Sequence, residues 1–529
     1  MNRPARRSCL TLAPVVLAAV LAAAAGLAAA ASAPCVSLAP FNASGIYASG
    51  ERVGWTVTLA PDASAAAGGF AYTIRRDGLG VIASGDLRFA AGHATIATSL
   101  NAPAMLYLEI APHGGAPCAV AGAAVAPAQL QPVAPRPADF DAFWAAKIQA
   151  LEAIPAAPVL TPGESGRAGV DYWTIRLDNI GGAHVYGQLA KPAREGKFPA
   201  MLVLQWAGGP YPLDRTWVTN RAAEGWLVLN IEPHDVPGNL PAEFYAALPA
   251  ALRNYTAIGN IDRDRSYFLG MYLGDYRAVD YLASRPDWDG RTLVVTGTSM
   301  GGQQSLCVAG LHPRVTDVIV NEPAGCDALA PLHGRAASYP NWDLGDARVI
   351  ATAPYFDAVN FASRIHARCL IAVGFVDVTA RPSGIWTAFN QIPAPKEIVP
   401  MIDSPHNNLA TAEQQRPWTQ GARARFAALA GAAAPAAGAP AAAARGPVRG
   451  GPPARRSDHP NFEIWRGLTP PHHPSRIQTR WGGLPARRSD HPNFEIRRGL
   501  TPPRHPSRIQ TRWGGLYARR IVLVLVIVI

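Results

Sequence analysis

A chain of 529 residues with 49% hydrophobic side chains has the length for roughly two to four domains and the apolar content for a large core. Its formal charge of +11 does not mark a nucleic-acid binder, because the excess is local: from Arg445 onward, 16 Arg, no Lys and 4 acidic residues carry +12. What precedes is close to neutral, so no nucleic-acid partner is expected and the basic balance is silent about substrate.

Arg3, Arg6 and Arg7 form a basic start, an apolar run follows from about Leu10 to Ala30, and small residues near Ala31 offer a cleavage site. This is the pattern of a secretory signal peptide, placed at residues 1–31. A membrane anchor fits less well, because the run is Ala-rich and no basic stop follows it. Cys35 lacks a lipobox. The expected location is secreted or periplasmic, where disulfides persist. Cys9 leaves with the signal. Cys35 and Cys118 bracket the next segment and are expected to pair. Cys307 reads as helix core, and the pairing of Cys326 and Cys369 is left open. No Cys/His spacing matches a metal site, so no metal is expected.

Residues 34–127 read as β. Arg52–Leu59, Phe70–Ile74, His93–Thr98 and Met105–Ile110 alternate apolar and polar residues, with Gly, Asp, Asn and Pro between them. About seven short strands in this span suggest an immunoglobulin-like sandwich. It carries no catalytic constellation, and an orienting module is favoured over a carbohydrate-binding one.

Pro135 and Pro137 sit in a linker at the start of residues 132–430, which then alternate strand and helix. Phe140, Phe143 and Trp144 fall on one face of a helix that begins at Asp139. Asp171–Leu189 reads as two antiparallel strands turning at Gly181-Gly182. Pro199–Leu204 and Gly225–Ile231 are buried strands, 235–260 is a cap-like excursion, and Tyr272–Leu282 is a helix. Val315–Asn321, Arg368–Asp377 and Glu397–Ile402 supply later strands. This order implies an α/β fold with a mostly parallel central sheet and helices on both faces.

The strongest motif is Leu293–Gly302. A β-branched run ends in Gly297-Thr298-Ser299-Met300-Gly301, and a helix pattern follows at once. Strand, tight turn and helix around G-x-S-x-G form a nucleophile elbow, which lifts Ser299 above the sheet and leaves the Met300 N–H free to face an oxyanion. A Gly-rich loop after the earlier strand, Gln205–Tyr211, is where a second oxyanion donor belongs; Gly208 N–H is preferred over Ala207. Asp377 and His406 each follow a strand end, giving the chain order Ser299, Asp377, His406 of α/β-hydrolases. Asp357, Asp403 and His366 are weaker rivals, because they precede a helix, crowd His406 along the chain, and sit at the wrong end of a strand, respectively. A triad of this kind attacks an ester carbonyl through an acyl-enzyme.

The chain resembles the acetyl xylan esterase / cephalosporin C deacetylase family of α/β-hydrolases over about residues 130–425. The resemblance is carried by Pro137–Trp144, the elbow Gly297–Gly302, Tyr355–Ala362, Val373–Asp377 with Arg381-Pro382-Ser383, and Pro395-Lys396-Glu397. It implies a serine carboxylesterase that removes acetyl groups from small acetylated sugars and needs no cofactor or metal. It also implies a closed homo-oligomer, which the N-terminal module would obstruct. Three positions depart from the family pattern. Ser-Gln-Gly-Gly becomes Ser299-Met300-Gly301-Gly302, His-Gly-Tyr becomes Trp206-Ala207-Gly208, and His-Glu becomes His406-Asn407. These changes bear on acyl and sugar preference more than on ester hydrolysis. A serine peptidase on the same fold and a catalytically silent sugar-binding relative are the alternatives.

Residues 431–452 are Ala/Pro/Gly-rich and read as a linker. Pro453–Leu484 and Pro485–Leu516 repeat with a period of 32 and differ only at Trp465/Arg497 and His472/Arg504. With little apolar periodicity, residues 453–516 are expected to be a disordered C-terminal tail. The apolar end 517–529 includes Ile521–Ile529, too short to span a bilayer, so no stable membrane insertion is expected.

Overall fold

The computed structural model describes residues 35–61 and 69–433. The signal segment, both repeats and the apolar end lie outside the described residues. Among those described, no helix is long and apolar enough to cross a membrane.

The first eight strands are β1 (Val36–Pro40), β2 (Ile46–Tyr47), β3 (Arg52–Leu59), β4 (Phe70–Arg76), β5 (Gly80–Leu87), β6 (His93–Ser99), β7 (Ala104–Pro112) and β8 (Ala119–Val125). They form a three-stranded sheet, β1-β3-β6, and a five-stranded sheet, β2-β8-β7-β4-β5. Period-two alternation turns Val53, Trp55, Val57 and Ile96 of one sheet toward Ile74, Leu106, Leu108 and Ile110 of the other, and these share one core. Cys35 and Cys118 are bridged as expected, with Cα atoms 5.8 Å apart.

The next elements are α1 (Phe140–Glu152), β9 (Val159–Gly163), β10 (Val170–Asp178), β11 (His184–Pro192), β12 (Phe198–Leu204), α2 (Thr216–Ala223) and β13 (Leu227–Ile231). They are followed by α3 (Tyr267–Ser284), β14 (Trp288–Thr298), α4 (Met300–Leu311), β15 (Asp317–Asn321), β16 (Arg368–Gly374), α5 (Pro382–Gln391), β17 (Lys396–Met401) and α6 (Arg416–Ala433). Nine strands make one sheet in the order β17-β16-β15-β14-β12-β13-β11-β10-β9. The six strands from β17 to β13 are parallel. The remaining three continue the sheet antiparallel, so the sheet is mixed. β13 and β15 are buried at every residue, as parallel strands covered on both faces must be. Residues of α3, α4 and α5 pack on one face and residues of α2 and α6 on the other.

Several boundaries differ from expectation. α3 starts at Tyr267, five residues before the apolar pattern suggested. α6 runs to Ala433, three residues into the segment read as a linker. Cys307, Cys326 and Cys369 are all free and buried.

The β module is packed directly on the sheet end that bears Asp377. A Cβ at Gly122 of β8 would stand 2.4 Å from Phe375 Cβ and 2.8 Å from its carbonyl oxygen. A Cβ at Gly45 would stand 2.8 Å from Ile402 Cγ2. Because part of the obstacle at Gly122 is backbone, Gly122→Val should cost about 1–3 kcal/mol by overpacking. Thermal denaturation tests this; an unchanged Tm would mean that the two layers do not approach as described.

Candidate active site

β14 is apolar and buried at Leu293–Val295, and it delivers Ser299 to the carboxyl edge of the sheet. Ser299 has φ 57° and ψ −119°, a strained conformation for a residue with a side chain. The neighbouring glycines are required sterically. A Cβ at Gly301 would lie 2.1 Å from Leu204 O, and one at Gly297 would lie 2.4 Å from Gly301 C. The turn is held by the Ser299 N–H donating to Asn321 O (2.9 Å) and by Ser299 O accepting from Ala324 N–H (3.0 Å). Met300 opens α4. Its N–H has no acceptor within α4, as the first residue of a helix must not, and none elsewhere among the described residues.

The three residues proposed from chain order meet. His406 Nε2 is 2.9 Å from Ser299 Oγ, and His406 Nδ1 is 2.7 Å from Asp377 Oδ2. The other Asp377 oxygen accepts from Thr379 and Ala380 N–H at 2.7 and 2.8 Å. A carboxylate only accepts, so Nδ1 carries the proton and Nε2 is left to accept from the serine hydroxyl. Asp377 is 1% exposed and His406 6%. Burial alone would lower the imidazole pKa. The hydrogen bond and charge of Asp377, with the charge of Glu322, outweigh it and raise the pKa above its ordinary value of 6.5.

The rivals take other places. Asp357 caps a short helix by accepting from Val359 N–H, and it also accepts from Asp327 and Ala328 N–H. Asp403 is exposed, and its carbonyl accepts from Gln414. His366 lines a surface groove with Arg136 and Arg364.

Of the two amides proposed as second oxyanion donor, the Ala207 N–H donates to Met300 Sδ at 3.4 Å, which leaves the Gly208 N–H as the candidate. Gly208 lies near the buried carboxylate of Glu232. The loop that carries both amides is held by residues distant in sequence. Glu232 follows β13 and accepts from Gln205 Nε2 (2.9 Å), Tyr211 OH (2.7 Å) and His234 N–H (3.2 Å). Burial nevertheless pushes its pKa up to about 7. The excursion expected at 235–260 closes the same side. Tyr255 OH donates to Met300 Sδ at 3.3 Å and lies 2.6 Å from Tyr339 OH. Sequence reasoning missed Glu232, Tyr255, Tyr339 and Glu322; the only signal for the two acids was their place just beyond a parallel strand.

Glu322, Asp377 and His406 present oxygen and nitrogen atoms close enough together to ligate an ion. Their lone pairs are already engaged. Nδ1 binds Asp377, and both Glu322 oxygens accept from amides. The donor set is that of a histidine fixed by hydrogen bonds.

The family model described as acetyl xylan esterase (AXE1) matches residues 128–333 and 338–421. The chain belongs to the acetyl xylan esterase family. Acetyl esterase Axe7A of Xylanibacter ruminicola is 30% identical over 367 residues, which cover 68% of this chain and 83% of that relative. Among solved structures, an acetyl xylan esterase from Paenibacillus sp. R4 is 25% identical with a TM-score of 0.49, covering 57% of this chain and 98% of that one. Acetyl xylan esterase 1 from a Thermoanaerobacterium species is 22% identical with a TM-score of 0.49, covering 57% and 97%. The matched region contains Ser299 and Asp377 and runs past His406 to α6, whereas the β module lies before it.

In this acetyl xylan esterase relative, the thioether of Met300 joins the loop 205–212 to the excursion. Met300→Leu preserves apolar volume and removes both sulfur contacts, each of them weak. Ester hydrolysis should slow by about 3- to 10-fold, equivalent to about 1 kcal/mol, with Tm little changed. A rate equal to the parent's would remove the thioether from any role in holding the loop.

Proposed function

We propose that this protein is a secreted serine carboxylesterase that removes acetyl groups from acetylated carbohydrates. The reading rests on the continuous chain of contacts from Ser299 through His406 to Asp377 in a member of an esterase family.

In the proposed reaction, Ser299 Oγ attacks the ester carbonyl carbon while His406 Nε2 takes the hydroxyl proton. Asp377 keeps the proton on Nδ1 and stabilises the imidazolium. The Met300 N–H, at the positive end of α4, supports the oxyanion. Collapse of the tetrahedral intermediate breaks the ester C–O bond, and the imidazolium proton passes to the departing sugar oxygen. Water then attacks the acyl-enzyme, His406 accepts its proton, and acetate leaves as Ser299 is re-protonated. The Gly208 N–H, on the loop 205–212, is the candidate second donor. No step calls for a cofactor.

The remaining proposals have separate supports. Export is supported by the basic and apolar N-terminal pattern and by the Cys35–Cys118 bridge, which persists in an oxidising compartment. The strand orders β1-β3-β6 and β2-β8-β7-β4-β5 favour an immunoglobulin-like module. Its packing against Phe375 favours an orienting role. The boundaries that follow are 1–31, 34–127 and 132–430 for signal, module and hydrolase.

The decisive experiment is acetate release from p-nitrophenyl acetate and acetylated xylo-oligosaccharides, comparing the parent with Ser299→Ala. We expect a loss of at least about 10³-fold in kcat, together with fluorophosphonate labelling of the parent alone. A folded parent that releases no acetate and takes no label would refute the esterase reading. Aminoacyl-nitroanilide turnover would replace it with a peptidase.

The pH profile provides a second test. Imidazolium cannot accept the serine proton, so activity is lost as pH falls through the His406 pKa. That pKa is raised, so the acid limb of kcat/KM should lie above 6.5. A limb at or below that value would contradict the charged surroundings described for His406.

A further inference from the structure

Glu322 is the first residue after β15, and neither the motif order nor the proposed reaction uses it. It is 0% exposed and has φ 44°, a region that side-chain-bearing residues rarely occupy. Such a conformation persists only where the surroundings over-determine it. Here the Glu322 N–H donates to Ala372 O at 3.1 Å. Oε2 accepts from Asn407 N–H at 2.7 Å, and Oε1 accepts from Gln415 Nε2 at 2.8 Å. The same Gln415 nitrogen donates to Ser404 Oγ at 2.8 Å, and Gln415 Oε1 accepts from Asn321 Nδ2 at 2.9 Å. Asn407 and Ser404 lie on either side of His406 in the chain, so Glu322 grips the histidine loop from both flanks. Its Oε2 is also 3.8 Å from His406 Nδ1, the nitrogen that Asp377 approaches to 2.7 Å.

We propose that Glu322 is a second acid of His406, a positioning residue that holds the histidine loop, supports the imidazolium with its charge and takes over part of the orienting role when Asp377 is removed. The proposal rests on the serine-esterase reading. The titratable groups that face His406 among the described residues are Asp377 and Glu322. Arg381 acts on Asp377 by its charge, and the other partners of Glu322 are neutral amides. Burial, and then the neighbouring Asp377 charge, push the Glu322 pKa up to about 7. Removing Asp377 removes the second of these causes, so Glu322 becomes more fully ionised when its charge is needed. The Oε2 atom lies close enough that a small shift of the imidazole brings Nδ1 within hydrogen-bonding distance. A carboxylate serving only as a loop strut would give no such compensation.

Two measurements on the full chain test this, both by p-nitrophenyl acetate hydrolysis with folding checked by circular dichroism. In Asp377→Ala, kcat should fall by less than about 100-fold. Loss of a sole orienting acid costs roughly 10⁴-fold, so a fall of about 100-fold or more overturns the proposal. This variant leaves Glu322 untouched, so the result stands even if Glu322 variants do not fold. In Glu322→Gln, the acid limb of kcat/KM should move to lower pH, because one of the charges that raise the His406 pKa is gone. Glu322→Asp, which keeps the charge, should leave the limb where the parent has it. A limb unmoved in Glu322→Gln, or moved equally in both variants, overturns the proposal. A parent that is inactive and unlabelled by fluorophosphonate would instead mean that the esterase reading itself has failed.

Discussion

The approach of α4 to the end of β12 is the constraint from which the site follows. Gly301 sits so close to Leu204 O that a single added carbon would lie 2.1 Å away. Real side-chain carbons do not tolerate that distance, so glycine at this position lets the helix start directly above the neighbouring strand. Three consequences follow. Ser299 is forced into a positive φ and projects from the sheet edge. The Met300 N–H emerges at the helix start with no acceptor. The Met300 side chain is carried against Ala207, the third residue after β12. The loop 205–212 and Ser299 are therefore set by one backbone contact.

Electrostatics makes the site asymmetric. Two buried glutamates stand beyond parallel strands on either side of β14 and β12: Glu232 after β13 and Glu322 after β15. Burial pushes each up to about 7. Each is bound by amides of a loop at the sheet edge, the loop 205–212 and the residues after β13 in one case and the His406 loop in the other. An ionised carboxylate holds such amides more strongly than a protonated one. Each loop is consequently held most firmly above neutrality, the same side on which His406 is a free base.

The sheet and elbow were legible because their signals are local. A β-branched run, a G-x-S-x-G turn and an apolar helix pattern occupy consecutive residues, and steric rules fix their geometry. Asp377 and His406 were legible for a different reason: a strand end in a parallel sheet points its following residues at one edge, so the order of strands predicts convergence. What holds the loop 205–212 was not legible. Glu232 accepts from its Gln205 and Tyr211 side chains, and no spacing rule links a lone glutamate to a loop that precedes it by a whole helix and strand. Glu322 was hidden similarly, since Pro323 after it signals a turn, and its partners Asn407 and Gln415 lie far along the chain. The start of α3 at Tyr267 was missed because the preceding Asp262–Arg265 stretch is charged, while the helix face that begins at Phe268 is buried by tertiary packing.

The N-terminal module is not an appendage to this arrangement. Met105 and Ala124, on β7 and β8, belong to the core formed on one face of the nine-stranded sheet. Asn390 of α5 donates to the carbonyls of Pro127 and Leu130, and Val133 N–H donates to Asp327. Asp77 O accepts from Ala336 N–H, and the region around Tyr339 closes the Tyr255 side of the site. Gly122 bears on Phe375, two residues before the acid that orients His406, and Gly45 bears on Ile402, four residues before His406 itself. The module therefore backs both loops that follow β16 and β17. In a fold where those loops would otherwise end in solvent, a packed layer behind them restricts the positions from which Asp377 and His406 reach the serine. That restriction is a physical reason for the module and the catalytic region to share one chain, and it requires no sugar-binding surface on the module.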